Sequence, residues 1–114
     1  MLDGDNMLAS AALALVLLAT PAVAANAEDA IRGTLEQWKK DFNAGNAEAV
    51  CGLFAADLRY DFRGYPERGY DDVCTLLRRS LSDKSKRYIY GLEIREIIVE
   101  GDLAVVRLTW TLSV

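Results

Sequence analysis

Residues 38–57, WKKDFNAGNAEAVCGLFAAD, contain the two changes of direction that decide how this chain folds. Asn43-Ala44-Gly45 is expected to end a helix, because glycine after a last helical turn readily adopts the left-handed conformation. Asn26 is placed to cap the same helix at its other end. The apolar positions in between recur at helical spacing, at Ile31, Leu35, Trp38 and Phe42. A long amphipathic first helix is therefore predicted.

The second half of this stretch predicts a short helix followed by a strand. Asn46 can cap the short helix, whose buried face would consist of Val50, Leu53 and Phe54. After Asp57 the period changes to two, which is typical of a half-buried strand. Its alternating apolar residues are Leu58, Tyr60 and Phe62.

The remaining residues predict a third helix and a β-hairpin. Asp71-Asp72 opens the helix, whose apolar side holds Val73, Leu76, Leu77 and Leu81. From Lys86 the chain is rich in β-branched and aromatic residues, and the apolar alternation changes phase near Arg95-Glu96, which indicates a β-bulge. Gly101-Asp102 then forms a hairpin turn. The element order is α-α-β-α-β-β, and the fold class is α+β.

Length and composition exclude several classes of protein. The chain has 114 residues, so one domain is expected. Its net charge is −4. It lacks a basic cluster large enough to neutralise several phosphates, and nucleic acid is not an expected partner. Charged residues make up 26% of the chain, an ordinary value for a globular domain.

The first segment is predicted to be a signal peptide covering residues 1–27. Met7 to Thr20 is an apolar run, and small-x-small sites at Ala22-Val23-Ala24 and Ala25-Asn26-Ala27 place cleavage near 24/25 or 27/28. The preceding residues are atypical, since they hold two acids and no Lys or Arg. We expect a periplasmic or secreted domain over residues 28–114 that leaves the membrane after cleavage. The alternative is an uncleaved anchor.

Two cysteines, Cys51 and Cys74, are candidates for a disulfide in an oxidising compartment. Such a bridge would close a loop of about 22 residues and would contribute about 3 kcal/mol. The alternative is a pair of small buried thiols packed as core residues. With no histidine and no CxxC pair, neither a metal site nor a cofactor is expected.

The chain resembles the nuclear transport factor 2-like superfamily, which includes SnoaL-like cyclases and ketosteroid isomerase. The resemblance rests on Trp38, Phe42–Asn46, Leu53–Asp57, Gly64 and the hairpin Gly101–Val106. It implies a curved antiparallel sheet wrapped against helices into a cone with an apolar pocket, and a homodimer. Members of the superfamily continue for two more strands beyond the position of Val114, so we expect a shortened sheet here.

The catalytic residues of ketosteroid isomerase are not matched. Trp38 occupies the position of the oxyanion-binding tyrosine, and an indole N–H lacks the acidity of a phenol. Phe62 occupies the position of the carboxylate base, and Asp61, one residue away, would face the opposite side of its strand. Catalysis of the steroid-isomerase type is therefore not expected. Whether the chain is an enzyme of another kind is left open, with Glu93, Asp61 and Glu96 as the carboxylates to test.

Three functions are compatible with these residues. The first is binding of a small apolar or amphipathic molecule, in a pocket lined by Trp38, Phe42, Tyr60, Phe62, Tyr88, Tyr90 and Trp110. The second is association with a partner or a second copy through the exposed sheet. The third is a cyclase, isomerase or hydratase activity. We rank ligand binding slightly above association and both above catalysis, because strand parity points no carboxylate into the expected pocket.

Overall fold

Four regular elements build the chain in a computed structural model, which describes the backbone of residues 2–114 and the side chains of residues 22–114. They are helix α1 (Leu2–Asn43), helix α2 (Tyr70–Ser82), strand β1 (Ile89–Glu100) and strand β2 (Leu103–Ser113). The α+β class is confirmed, whereas two of the six predicted elements are absent from this set. Among the described residues, no helix is both long and apolar enough to cross a membrane.

Helix α1 is longer than the sequence predicted. It continues through Pro21 and Asn26, so Asn26 is an interior residue and not a cap. The alanine-rich run at residues 22–27 favours this continuation, since alanine has the highest helix propensity. The side chains of the predicted signal segment up to residue 21 lie outside the described part of the chain. The helix ends where predicted, and Gly45 adopts φ +76°.

The predicted short helix after Asn46 is replaced by a series of turns. The backbone bonds there join residues three apart, as from Ala49 N–H to the Asn46 carbonyl and from Gly52 N–H to the Ala49 carbonyl. Glycine at position 52 disfavours a continuous α-helix. The predicted buried face nevertheless packs inward, since Val50 is fully buried and Leu53 and Phe54 pack against the core.

The predicted strand after Asp57 is reduced to one bridge. Tyr60 N–H donates to the Arg68 carbonyl and Arg68 N–H donates to the Tyr60 carbonyl, both at 2.9 Å. The pairing cannot extend, because Gly64 turns the chain with φ +86° and α2 begins only two residues after Arg68. The segment between the helices is therefore mostly irregular.

Cys51 and Cys74 form a disulfide that attaches this irregular segment to α2, with their Cα atoms 5.4 Å apart. Helix α2 begins with Asp71 and Asp72 in its first turn and buries Val73, Cys74 and Leu77. Leu76, predicted on the same side, is instead 44% exposed. The buried stripe of α2 is therefore narrow and centred on the disulfide.

The hairpin is an antiparallel pair whose register runs from Ile89 opposite Ser113 to Glu100 opposite Leu103. A register shift between Ile94 and Glu96 confirms the predicted bulge. Because the bulge adds one residue, the apolar side chains of β1 before and after it lie on one face. Gly101 forms the turn with φ +57°.

The core lies where α1, the turns, α2 and the start of the hairpin meet. Its most buried side chains are Trp38, Phe42, Val50, Cys51, Val73, Cys74 and Leu77. Among the described residues no polar or charged side chain is buried. The core is therefore apolar throughout, with an aromatic cluster on its sheet side.

Candidate ligand-binding site

Four aromatic side chains meet between α1 and the hairpin. The Trp38 ring lies 5.5 Å from Phe42, 5.6 Å from Tyr90 and 5.1 Å from Trp110, centroid to centroid. The Tyr90 ring lies 4.8 Å from that of Phe42 and 5.5 Å from that of Trp110, and both of these pairs are edge to face. We call these four residues the aromatic cluster. Edge-to-face pairs at such distances stabilise beyond the area they bury.

Trp38 is fixed in the cluster by its polar edge as well as by packing. Its indole N–H donates a buried hydrogen bond of 2.7 Å to the carbonyl of Val50. Val50 precedes Cys51, so the disulfide holds the acceptor in place from the next residue. The indole proton is thereby used inside the protein and is not directed at a ligand.

The rim of the cluster is half-buried. Trp110 and Tyr90 are partly accessible, and Tyr60, Tyr88, Phe54 and Leu58 pack around the core with similar exposure. Burial raises the pKa of the Tyr90 hydroxyl, and the nearby Tyr60 raises it further. The Tyr90 phenol is therefore a neutral hydrogen-bonding group at ordinary pH.

Phe62 does not join the other predicted pocket residues. Its side chain is 56% exposed and its ring lies 5.6 Å from that of Tyr65, whose other contact is the Arg68 guanidinium at 4.7 Å. The physical reason is the missing strand, since a single bridge at Tyr60 does not carry the alternation two residues further. Of the seven predicted residues, the structure brings together Trp38, Phe42, Tyr60, Tyr88, Tyr90 and Trp110.

The three carboxylates singled out in the sequence are solvent-exposed. Glu96 pairs with Arg107 at 2.9 Å and Glu93 lies 3.5 Å from Arg95, both on the outer face of the hairpin. Asp61 is exposed beside Phe62. None of these three residues is in the aromatic cluster. The described residues also contain no group of three or more His, Cys, Asp or Glu side chains that could hold a metal ion.

A groove of about 430 Å³ runs along α1 and has Trp38 in its wall. Small residues of α1 and of the turns leave this space open. Two of them are glycines, Gly33 on α1 and Gly52 in the turns. A Cβ added at Gly33 would meet no atom within 4 Å. Polar groups stand at the edge, where Gln37 Nε2 donates a hydrogen bond of 3.0 Å to Asp41 Oδ1.

This groove was not predicted from the sequence, because the predicted pocket rested on large aromatic residues and the groove is created by small ones. The residues that could have indicated a groove are two glycines. Gly33 lies five residues before Trp38 on α1, and Gly52 follows Cys51. The residues lining the groove are Ala30, Gly33, Thr34, Gln37, Trp38, Asp41, Ala49, Gly52 and Leu53. Trp38 therefore belongs both to the aromatic cluster and to an accessible groove.

Comparison with known proteins identifies the fold family. The profile of the SnoaL-like domain matches residues 35–113. A solved structure described as an M. tuberculosis LEH-like epoxide hydrolase superposes with a TM-score of 0.51 and 23% identity, over 71% of this chain and 59% of that one. This chain thus spans less than two thirds of that structure, and the likeness concerns the fold alone.

No curated protein sequence matches the chain. The profile match begins within α1 and ends at β2, and it includes the aromatic cluster and the disulfide. This agreement between the family profile and the folded core is the basis of the assignment. The chain belongs to the SnoaL-like domain family, within the nuclear transport factor 2-like superfamily.

Proposed function

We propose that this chain is an exported domain that binds a small apolar or amphipathic molecule in the groove beside Trp38. The observation that carries the proposal is the double position of Trp38, which is 7% exposed yet forms part of the groove wall. A ligand there gains contact with an aromatic surface that is already rigid, so little side-chain entropy is lost on binding.

The edge of the groove supplies directed polar contacts. Asp41 and Gln37 are one helical turn apart and are already hydrogen-bonded to each other. Apolar walls with a few polar groups are the usual composition of small-molecule sites, and about 430 Å³ is within their usual size. An amphipathic ligand would place its apolar part against Trp38 and Leu53 and its polar part near Asp41.

Export is part of the proposal. The apolar run and small-residue sites of residues 7–27 support it, and so does the Cys51–Cys74 disulfide, because such bonds persist in oxidising compartments. A native mass spectrum of the protein from the exported fraction of its host tests both parts. We expect a mature chain starting at residue 25 or 28 and an added mass that is lost on denaturation. Absence of the protein from that fraction would contradict export, an unprocessed chain would contradict cleavage and favour the uncleaved anchor, and a ligand-free spectrum would count against the binding proposal.

A groove-filling variant locates the binding site. Gly33→Leu places a branched side chain in open space on a helix that tolerates it, so the fold should be kept. Titration with the neutral fluorophore N-phenylnaphthylamine should show affinity lowered by about tenfold, or about 1.4 kcal/mol. The control is Lys40→Leu, which adds an exposed leucine to the same helix outside the groove. Equal affinity in both variants would exclude the groove.

A homodimerising role is the second candidate, and the outer face of the hairpin favours it. Ile98 and Val105 are opposite each other on β1 and β2, and both are about half exposed, at 48% and 50%. Leu103 extends this apolar patch at 69% exposure. Sedimentation of the wild type and of Val105→Lys over a range of concentrations tests this candidate. A dimer that the substitution dissociates would favour it.

A catalytic role is the third candidate, and Asp41 is the carboxylate to test. It is the acidic residue that lines the groove, whereas Asp61, Glu93 and Glu96 are exposed elsewhere. Once a ligand is identified, Asp41→Asn separates the two roles. Loss of turnover with binding retained would indicate catalysis, and loss of binding alone would indicate a binding contact.

A further inference from the structure

A second cleft, separate from the groove beside Trp38, lies at the C-terminal end of α1. It has a volume of about 430 Å³ and is formed by the last turn of α1, the end of α2 and the connection to β1. Apolar side chains form part of its wall, namely the partly exposed Leu81 and Tyr88, with the buried Phe42 behind them. We call it the cationic cleft because of the residues at its rim.

The rim consists of the segment Lys84-Ser85-Lys86-Arg87, in which all four side chains are exposed. None of its three cationic side chains makes an ion pair with any described side chain, although five other basic residues of the chain do. The three cations lie within four consecutive residues of a chain whose net charge is −4. They are available to an external anion.

Asp83 is the one carboxylate that lines this cleft, and it is already hydrogen-bonded within the chain. Its Oδ1 accepts hydrogen bonds from the Ser85 hydroxyl and, at 3.0 Å, from the Ser85 N–H. These bonds, assisted by the charge of Lys86, lower the pKa of Asp83. Asp83 therefore stays ionised near neutral pH and offsets one of the three positive charges.

The ends of the two helices reduce the positive charge further without cancelling it. A helix C-terminus carries about half a negative charge. The carbonyls there are partly used by Ala44 N–H, bonded to Lys40 at 2.9 Å, and by Asp83 N–H, bonded to Arg79 at 3.2 Å. Two half-charges and Asp83 together amount to about −2 against +3. The cleft therefore keeps a net positive charge of about one.

We propose that the cationic cleft binds an amphipathic monoanion, with its apolar part against Leu81 and Tyr88 and its carboxylate beside Lys84 and Lys86. The chemistry is complementary at both ends, since the apolar wall is adjacent to the charged rim. This site is independent of the proposed function: neither tryptophan and none of the residues lining the Trp38 groove contributes to it.

Octanoate is the probe, and octan-1-ol and octyltrimethylammonium are its uncharged and cationic counterparts. Backbone NMR shifts of the ¹⁵N-labelled protein should change at residues 44–45 and 83–88 on addition of octanoate. They should change little with octan-1-ol and still less with the cation. Binding of octanoate should also weaken as salt is raised, because the exposed charges are screened.

The double variant Lys84→Gln/Lys86→Gln tests the rim. We expect octanoate to bind it about fivefold more weakly, the effect of losing two exposed charge contacts. The control is Arg59→Gln/Arg63→Gln, which removes two exposed cations from the irregular segment, one of them paired with Glu67, and should bind as the wild type does.

Three results would overturn the proposal. They are unchanged affinity in the lysine variant, equal binding of octan-1-ol, and octanoate shifts at the tryptophan indole N–H groups in place of residues 83–88. The last result would place the anion at the aromatic cluster. Because the cleft contains no tryptophan, failure here is distinguishable from failure of the groove beside Trp38.

Discussion

The side chain of Asn43 pairs with the backbone of Tyr90 as a neighbouring strand would. Asn43 Nδ2 donates to the Tyr90 carbonyl at 2.9 Å, and the Tyr90 N–H donates to Asn43 Oδ1 at 2.8 Å. The two residues are 47 positions apart in sequence. This reciprocal pair joins the last residue of α1 to the second residue of β1 and so positions Tyr90 in the aromatic cluster.

Removal of this pair should destabilise the fold. Asn43→Ala leaves both polar groups of Tyr90 without their partner, and we expect the free energy of unfolding to fall by about 2 kcal/mol. Asn43→Asp should cost a similar amount, because a carboxylate cannot donate to the Tyr90 carbonyl. Urea denaturation measures both. Asn46→Ala, at an exposed asparagine nearby, is the control, and equal losses at positions 43 and 46 would contradict this role.

The two tryptophans should differ in their effect on stability. Trp38→Phe leaves the buried Val50 carbonyl without its 2.7 Å donor, which costs about 1–3 kcal/mol in addition to lost packing. Trp110 is less buried than Trp38, so Trp110→Phe should cost less. Thermal unfolding of the two variants provides the comparison. A larger loss at position 110 would show that packing, and not the hydrogen bond, dominates.

Tyr90 should make stability depend on alkaline pH. Burial raises its pKa above the ordinary value of 10.0, so the folded state keeps the phenol proton where the unfolded state releases it. The contribution of the protonated Tyr90 to the free energy of unfolding is complete below pH 10, and it is lost as the pH rises through the raised pKa. Denaturation of wild type and Tyr90→Phe between pH 8 and 11 should show a shallower decline in the variant. Tyr65→Phe, at an exposed tyrosine, should decline as the wild type does.

Loss of the disulfide should loosen the irregular segment. Cys51→Ala/Cys74→Ala opens a loop spanning 23 positions, and the chain-entropy estimate is a loss of about 3 kcal/mol. Hydrogen exchange should then increase between residues 47 and 69 before it increases in the hairpin, whose cross-strand bonds do not depend on the bridge. An equal increase in both regions would indicate that the bridge stabilises the whole core.

Local patterns predicted the regular elements that have strong local signals. The end of α1 at Asn43–Gly45, the first turn of α2 at Asp71-Asp72, the bulge near Arg95-Glu96 and the turn at Gly101 all lie where the sequence places them. Each depends on residues within one or two turns of chain. The segment from Asn46 to Arg68 was predicted less well, because its helix and strand signals are short and glycine interrupts both.

The residues of the site were likewise predicted only in part from local sequence patterns. Trp38, Phe42, Tyr90 and Trp110 were predicted to line one pocket, and the structure brings these four side chains together at the core. Phe62 was misplaced because its strand has one bridge, and the groove beside Trp38 was missed because small residues give no hydrophobic signal. The cations at residues 84–87 are close together in the sequence, whereas the apolar wall of their cleft comes from separate elements.

The sequence by itself determined the α+β class, the boundaries at Asn43–Gly45, Asp71-Asp72 and Gly101, and the resemblance to the superfamily, because these depend on local conformation and periodicity. Only the tertiary structure decided that Asn43 bonds to Tyr90, that Trp38 donates to Val50, and that Cys51 meets Cys74. These contacts join residues distant along the chain. Their geometry follows from how whole elements pack, which no short stretch of sequence specifies.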